Sequence, residues 1–130
     1  MDQQWEDMYA AAKNVQGFHA ISDHMEAGGV AAAVLSTTGQ IYTGVCIDTS
    51  CSLGVCAEQN ALMTMITNGE YEFTRVLAVM SDGKGGAPCG ACREFMVQLM
   101  EKQYQKIEVL MDYESGKVMT MGELTPEWWL

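Results

Sequence analysis

Three cysteines and one glutamate carry the strongest chemical signal in this chain. Cys56 opens the segment Cys56-Ala57-Glu58, and Cys89 and Cys92 lie in Pro88-Cys89-Gly90-Ala91-Cys92. A two-residue gap lets two thiols reach one ion, and thiolates suit zinc. The three cysteines fall at the predicted starts of two helices, where free N–H groups and positive potential lower a thiol pKa. Structural zinc is normally closed by four protein ligands, so three thiolates predict a catalytic centre with one open position. Cys46, Cys51, His19 and His24 are the other residues able to close it. Glu58 stands in the first turn of the helix that Cys56 opens, able to reach over the open position without being a ligand. A carboxylate there can take a proton from an activated water and return it to a leaving amine. The chemistry predicted is hydrolytic deamination.

Blander readings of the same residues compete. Free cysteines often serve as small buried apolar groups, and an acid at a helix N-terminus is favourable without any catalysis. A structural zinc scaffold would need the thiols but not Glu58. A redox dithiol would use Cys89-x-x-Cys92 and leave Cys56-Ala57-Glu58 unexplained. The glycine cluster from Gly83 to Gly86, with Lys84, lacks the Gly-Lys-Ser/Thr ending of a phosphate loop and is read as a flexible rim. Met63, Met65, Met96 and Met100 are read as core and interface filling.

These residues need elements to position them. Trp5, Met8, Tyr9, Ala12 and Val15 recur at helical spacing over residues 3–16, and Gly17 supplies a stop. After a polar loop, the small-apolar run 30–36, a Thr-Thr-Gly-Gln turn and the alternating segment 41–46 predict a β-hairpin. A second helix follows from about Cys56 to Asn68, then a strand over 75–80. The loop 81–87 leads into a third helix from about Cys89 to Gln103. Segments 107–111 and 117–121 predict two further strands, either a hairpin or a parallel pair, before a tail holding Pro126, Trp128 and Trp129. The order α-β-β-α-β-α-β-β predicts an α/β sheet flanked by helices, because each helix must bury its apolar stripe against the sheet or another helix.

Composition narrows the function. The chain has 130 residues, 48% of them apolar and 18% charged, which suits one domain over 1–130 with a substantial core. Seven Lys and Arg against 17 Asp and Glu give a net charge of −10, so nucleic acid is not the expected partner. No apolar run approaches the roughly 20 residues a membrane helix needs, and the first residues lack the basic-then-apolar order of a signal peptide. No membrane association is expected, and the cytoplasm is the expected compartment. Five cysteines are an odd number, which fits metal binding or catalysis better than a disulfide framework.

Cys56-Ala57-Glu58 with Pro88-Cys89-Gly90-Ala91-Cys92-Arg93 resembles the cytidine deaminase family, in its all-cysteine zinc branch, which includes blasticidin S deaminase. The glutamate that is not a ligand and the later Pro-Cys-x-x-Cys pair are the signature of zinc deaminases. The resemblance runs over roughly residues 28–128 and implies a three-layer α-β-α fold with a mixed five-stranded sheet. It implies Zn2+ held by Cys56, Cys89 and Cys92, with Glu58 as general acid and base. The Ala57 N–H and the Ala87 carbonyl would contact the ring of a bound base, and the tail would bring Trp128 to a pocket. Family members of this branch are usually homotetramers whose sites are completed across subunits. The implied substrate is a small aminated pyrimidine or nucleoside, cytidine or deoxycytidine first.

Departures from the family pattern bear on substrate. Where typical members hold ribose with Asn-x-Glu-Asn, this chain reads Cys46-Ile47-Asp48-Thr49, so Asp48 keeps a sugar-hydroxyl acceptor while the Cys46 thiol is weak as donor and acceptor. The rival substrates are a blasticidin S-like nucleoside or a free base such as a modified cytosine, isoguanine or an aminotriazine. The phenylalanine usual before the first strand is replaced near Gly28. The arginine that often follows the glutamate is Gln59 here. Three thiolates leave zinc with a net charge of −1, which predicts that Arg93, beside Cys92, withdraws electron density from the sulfurs.

Overall fold

The computed structural model describes residues 1–130. The first helix, α1 (Gln3–Val15), is capped by the Asp2 carboxylate, which accepts from the Trp5 N–H at 3.1 Å. Its buried face is Trp5, Met8 and Ala12, a helical spacing that can cover one side of a sheet. The chain then builds β1 (His19–Ser22), β2 (Met25–Ser36) and β3 (Ile41–Thr49). Helix α2 (Ala57–Thr67) and β4 (Phe73–Met80) follow, then α3 (Gly90–Leu99) and a 3-10 turn (Tyr104–Lys106). The chain ends with β5 (Glu108–Asp112), β6 (Lys117–Thr120) and the short α4 (Met121–Leu124).

Period-two alternation in β2 sorts the layers. Ala31, Ala33 and Leu35 face α1 together with Leu77, Val79 and Leu110. Ala32 and Val34 face α2 and α3, with Ala61, Leu62, Met65, Phe73, Met96 and Val97. The result is the expected three-layer α-β-α arrangement, with α1 on one face and the other helices on the other. β2 is the hub. β3 pairs antiparallel along one of its edges, while the other edge carries β1 at its start and β4 further along, both antiparallel. β4 and β5 are parallel, and β5 and β6 close as an antiparallel hairpin, which settles the choice the sequence left open.

The sheet has six strands rather than five. The extra one, β1, lies in the segment read as a polar loop. All four of its residues are exposed, so no apolar period marks it; pairing to β2 alone makes it a strand. Beside it, Gly28 has φ +91° where the β2 register shifts, and an added Cβ would sit 1.9 Å from the Gly17 carbonyl oxygen. The third helix ends at Leu99, earlier than predicted, because the turn after Met100 lets Tyr104 and Ile107 enter the core. Helix α4 replaces the end of the last predicted strand. Thr120 and Glu123 form a reciprocal capping box there, a signal legible in the Thr-x-x-Glu spacing.

Gly44 sets how closely α2 can approach β3. A Cβ at Gly44 would lie 2.3 Å from the Ala61 backbone nitrogen, so Gly44→Ala must push the helix off the sheet. The expected loss is about 1–3 kcal/mol in urea unfolding, the usual consequence of overpacking. An unchanged unfolding midpoint would show that α2 is free to shift.

Candidate metal centre and active site

Two helix starts meet at one end of the sheet. Ile47 and Val55 exchange backbone hydrogen bonds at 2.9 Å each, which draws the 48–54 loop back so that α2 begins beside the end of β3. Cys56 is the N-cap of α2, and Cys89 is the N-cap of α3, its sulfur accepting from the Cys92 N–H at 3.4 Å. The Cys56 and Cys89 sulfurs are 3.5 Å apart, and those of Cys89 and Cys92 are 3.4 Å apart. All three ligand atoms lie within 4.8 Å of one another.

Zinc fits this donor set. A tetrahedral ion with Zn–S near 2.3 Å spaces its sulfurs by about 3.8 Å, so the Cys56–Cys89 and Cys89–Cys92 pairs need to spread by only a few tenths of an ångström. All are free thiols. Cys46, Cys51, His19 and His24 do not join the group, which therefore offers three protein donors. Burial pushes the Cys56 thiol pKa up, with the Cys89 thiol adding to it. Burial raises Cys92 further, and the nearby Glu58 charge acts in the same direction. Burial works on Cys89 too, but N–H donation from Cys92 and the two neighbouring thiols outweigh it and leave that pKa lowered.

A cavity of about 960 Å³ opens over the centre. Cys46, Asp48, Cys56, Ala57, Glu58, Ala87 and Cys89 line it, which brings together most of the residues singled out in the sequence. Glu58 is only 8% exposed, and burial raises its pKa above the ordinary glutamate value. A carboxylate so placed holds a proton more readily than one in water, which suits a group that must accept and return one.

Two expected site residues are placed elsewhere. Arg93 Nη1 donates to the Leu124 carbonyl at 3.3 Å, and no hydrogen bond joins it to a cysteine sulfur. That bond ties α3 to α4. The side-chain amide that donates to one of the three sulfurs is that of Gln59, whose Nε2 lies 3.7 Å from Cys92 Sγ. The sequence marks position 59 only by the absence of an arginine; a one-residue step past Glu58 around the helix is what turns it toward Cys92. Trp128 does not line its own chain's cavity. Its ring meets Tyr104 edge-on at 6.2 Å between centroids, and its indole N–H donates to Glu94 at 3.2 Å. Cys46 is held too: its sulfur accepts from the Val30 N–H at 3.2 Å and lies 3.7 Å from Asp48 Oδ2.

The fold and the site define an α-β-α protein in which three cysteines suited to holding a metal ion meet at the N-termini of two helices. Residues 3–107 match the model of the cytidine and deoxycytidylate deaminase zinc-binding region, and the chain belongs to that family. A Dictyostelium discoideum protein named "Probable cytidine deaminase" is 38% identical over 92 residues, 68% of this chain and 60% of that one. A Sporosarcina psychrophila cytidine deaminase is 39% identical over 71 residues, 53% of this chain and 52% of the relative. The matched stretch thus spans less than two thirds of either relative. The Bacillus cereus blasticidin-S deaminase is 32% identical over 108 residues, 75% of this chain and 74% of its own. Among solved structures, cytidine deaminase from Mycobacterium leprae superposes with a TM-score of 0.77 at 24% identity, over 97% of this chain and 100% of that chain. The Burkholderia pseudomallei enzyme gives 0.73 at 26% identity, over 99% and 100%. No helix here is long and apolar enough to cross a membrane.

Proposed function

We propose that this chain is a zinc-dependent hydrolase that replaces an exocyclic amino group on a pyrimidine-like ring with oxygen and releases ammonia. The observation that carries this reading is a buried Glu58 in the wall of the cavity above three converging thiols. Zinc held by Cys56, Cys89 and Cys92 would supply Lewis acidity, making water acidic enough to act as a nucleophile near neutral pH. The protein's own groups do the rest. Glu58 takes one proton from the attacking water and gives it to the ring nitrogen, then takes the second from the new hydroxyl and gives it to the departing amine, so that ammonia leaves and the ring keeps an oxo group and an N–H. The Ala57 N–H and the Ala87 carbonyl, both on the cavity wall, offer one donor and one acceptor for the edge of the base. Gln59 holds part of the negative charge on Cys92 by hydrogen bonding to its sulfur.

Charge around the cavity favours an unphosphorylated substrate. Its ionisable lining groups other than cysteine are Asp48 and Glu58, and no Lys, Arg or His lines it. A phosphate would enter without a counter-ion, at a desolvation cost that a nucleoside or free base avoids. Cytidine and deoxycytidine are the first candidates, since Asp48 can accept from a sugar hydroxyl. The engaged Cys46 sulfur supports a second reading, in which a blasticidin S-like nucleoside or a free base such as isoguanine or an aminotriazine is preferred. Exposed Phe18, Ile21, Leu53, Tyr71 and Trp129 offer apolar surface for assembly with further copies, in line with a homotetramer whose neighbour supplies an aromatic such as Trp128.

Ammonia release by the zinc-loaded chain tests the reading across cytidine, deoxycytidine, deoxycytidylate, blasticidin S, cytosine, isoguanine and an aminotriazine. The expected result is turnover of at least one unphosphorylated compound, with deoxycytidylate at least about tenfold slower than deoxycytidine, a difference of about 1.4 kcal/mol. Equal rates on those two would refute the charge argument, and silence on every compound would favour a structural zinc scaffold.

A further inference from the structure

We propose that Tyr9, on the helix layer opposite the active-site helices, is a positioning residue for the wall segment 81–89. That segment contributes Ser81, Gly85, Gly86, Ala87 and Cys89 to the cavity. Its glycines at 83, 85 and 86 give it large backbone freedom, which must be removed if the Ala87 carbonyl is to meet a substrate in one place.

Most of the restraint is local. The Met80 N–H donates to the Lys84 carbonyl at 2.8 Å, the Gly83 N–H to the Met80 carbonyl at 2.9 Å, and the Lys84 N–H to Asp82 at 2.9 Å. These bonds shape a turn on the end of β4 but do not tie its tip to anything else. The tie comes from α1, where the Tyr9 hydroxyl donates to the Gly83 carbonyl at 2.9 Å. Contact there is close enough that a Cβ on Gly83, which has φ +80°, would lie 3.0 Å from the Tyr9 hydroxyl oxygen.

Tyr9 is itself held in place. Its ring stacks on Tyr113 with 3.7 Å between centroids and 10° between planes. The Tyr113 hydroxyl donates to Glu6 at 2.8 Å. Glu6 and Tyr9 share one face of α1, and Tyr113 follows β5 directly, so the strut joins α1, the end of β5 and the cavity wall. A tyrosine stacked on one face and bonded through its hydroxyl can transmit rigidity to Gly83 that a freely rotating side chain could not. Tyr9 touches neither substrate nor metal ligand and acts through the wall.

Tyr9→Phe keeps the stack and removes the bond to Gly83. In the zinc-loaded full chain, amides 82–87 should exchange with solvent deuterium about two- to tenfold faster, the range expected from losing one neutral hydrogen bond. Amides in β2 and β4 and the zinc content should stay as in the native chain. The kinetic arm rests on the deaminase reading: KM should rise by a similar factor while kcat changes by less than about twofold. Tyr113→Phe keeps Tyr9 stacked and bonded and should accelerate amides 82–87 less than Tyr9→Phe does. Unchanged exchange at 82–87, an increase spread over the whole chain, equal acceleration in Tyr113→Phe, or faster exchange with an unaltered KM would each overturn the proposal. Accelerated exchange confined to 82–87 in a protein that deaminates nothing would uphold the strut and count against the deaminase reading alone.

Discussion

Glu58→Gln is expected to lower ammonia release by at least about 10²–10⁴-fold while leaving zinc bound, because the amide keeps the shape of the side chain and cannot accept a proton. The prediction follows from where Glu58 stands rather than from its type alone. It is buried in the cavity wall and is not a member of the thiol group, so its loss removes no ligand. Its raised pKa fixes the sign of the pH effect. As pH falls through that value the carboxyl arrives already protonated, so the acid limb of the rate profile should lie above the ordinary glutamate value of about 4.3. Folding responds in the same sense. A carboxyl whose pKa is higher folded than unfolded contributes stability below the unfolded value and loses it as pH rises through the folded one. In the metal-free chain, ionisation above that raised value therefore creates a buried charge that Glu58→Gln lacks. The variant should unfold at higher temperature there, by about 0.5–2 kcal/mol, with the difference shrinking toward pH 4. Activity within tenfold of the native chain would remove Glu58 from the proton path.

Sequence reasoning reaches this site because its key residues are tied to helix starts. An N-terminus is marked locally, by Cys56 before an apolar helical period and by Pro88-Cys89 before another, so both ends of the metal centre can be placed without knowing how the helices pack. The layers were legible for a similar reason: β2 alternates Ala31, Ala33 and Leu35 with Ala32 and Val34, and each set needs a helix to cover it. What stayed hidden depends on pairing and direction. β1 buries nothing and exists through hydrogen bonds to β2, which leave no mark on composition. Arg93 is adjacent to Cys92 in sequence, but adjacent helical side chains diverge by about 100°, and that turn carries its guanidinium to Leu124. Gln59 reaches the Cys92 sulfur from the other helix, a contact that only the packing of α2 against α3 creates. The Tyr9 to Gly83 bond spans 74 residues and joins two segments with no shared motif.

Removing one thiol from the exposed side of the centre should abolish metal binding with little direct damage to the core. Cys89 is exposed and Cys92 fully buried, so Cys89→Ser isolates the metal's contribution while Cys92→Ala adds a packing loss among the residues around Met96 and Val97. Zinc that binds only the folded chain stabilises it by mass action, about 4 kcal/mol at a free concentration a thousand times its Kd. The native chain should accordingly lose several kcal/mol on chelation. Cys89→Ser should start near that chelated level and respond neither to chelator nor to added zinc, and Cys92→Ala should fall lower still. Binding also requires the thiols to be deprotonated, and burial pushes those of Cys56 and Cys92 up. Zinc uptake should therefore release protons and weaken as pH falls, and dye-competition titrations from pH 8 to 6 would measure the slope. A Cys89→Ser chain that keeps near one zinc per chain would mean that a different residue completes the centre, and the open position on which the deaminase reading depends would then be lost.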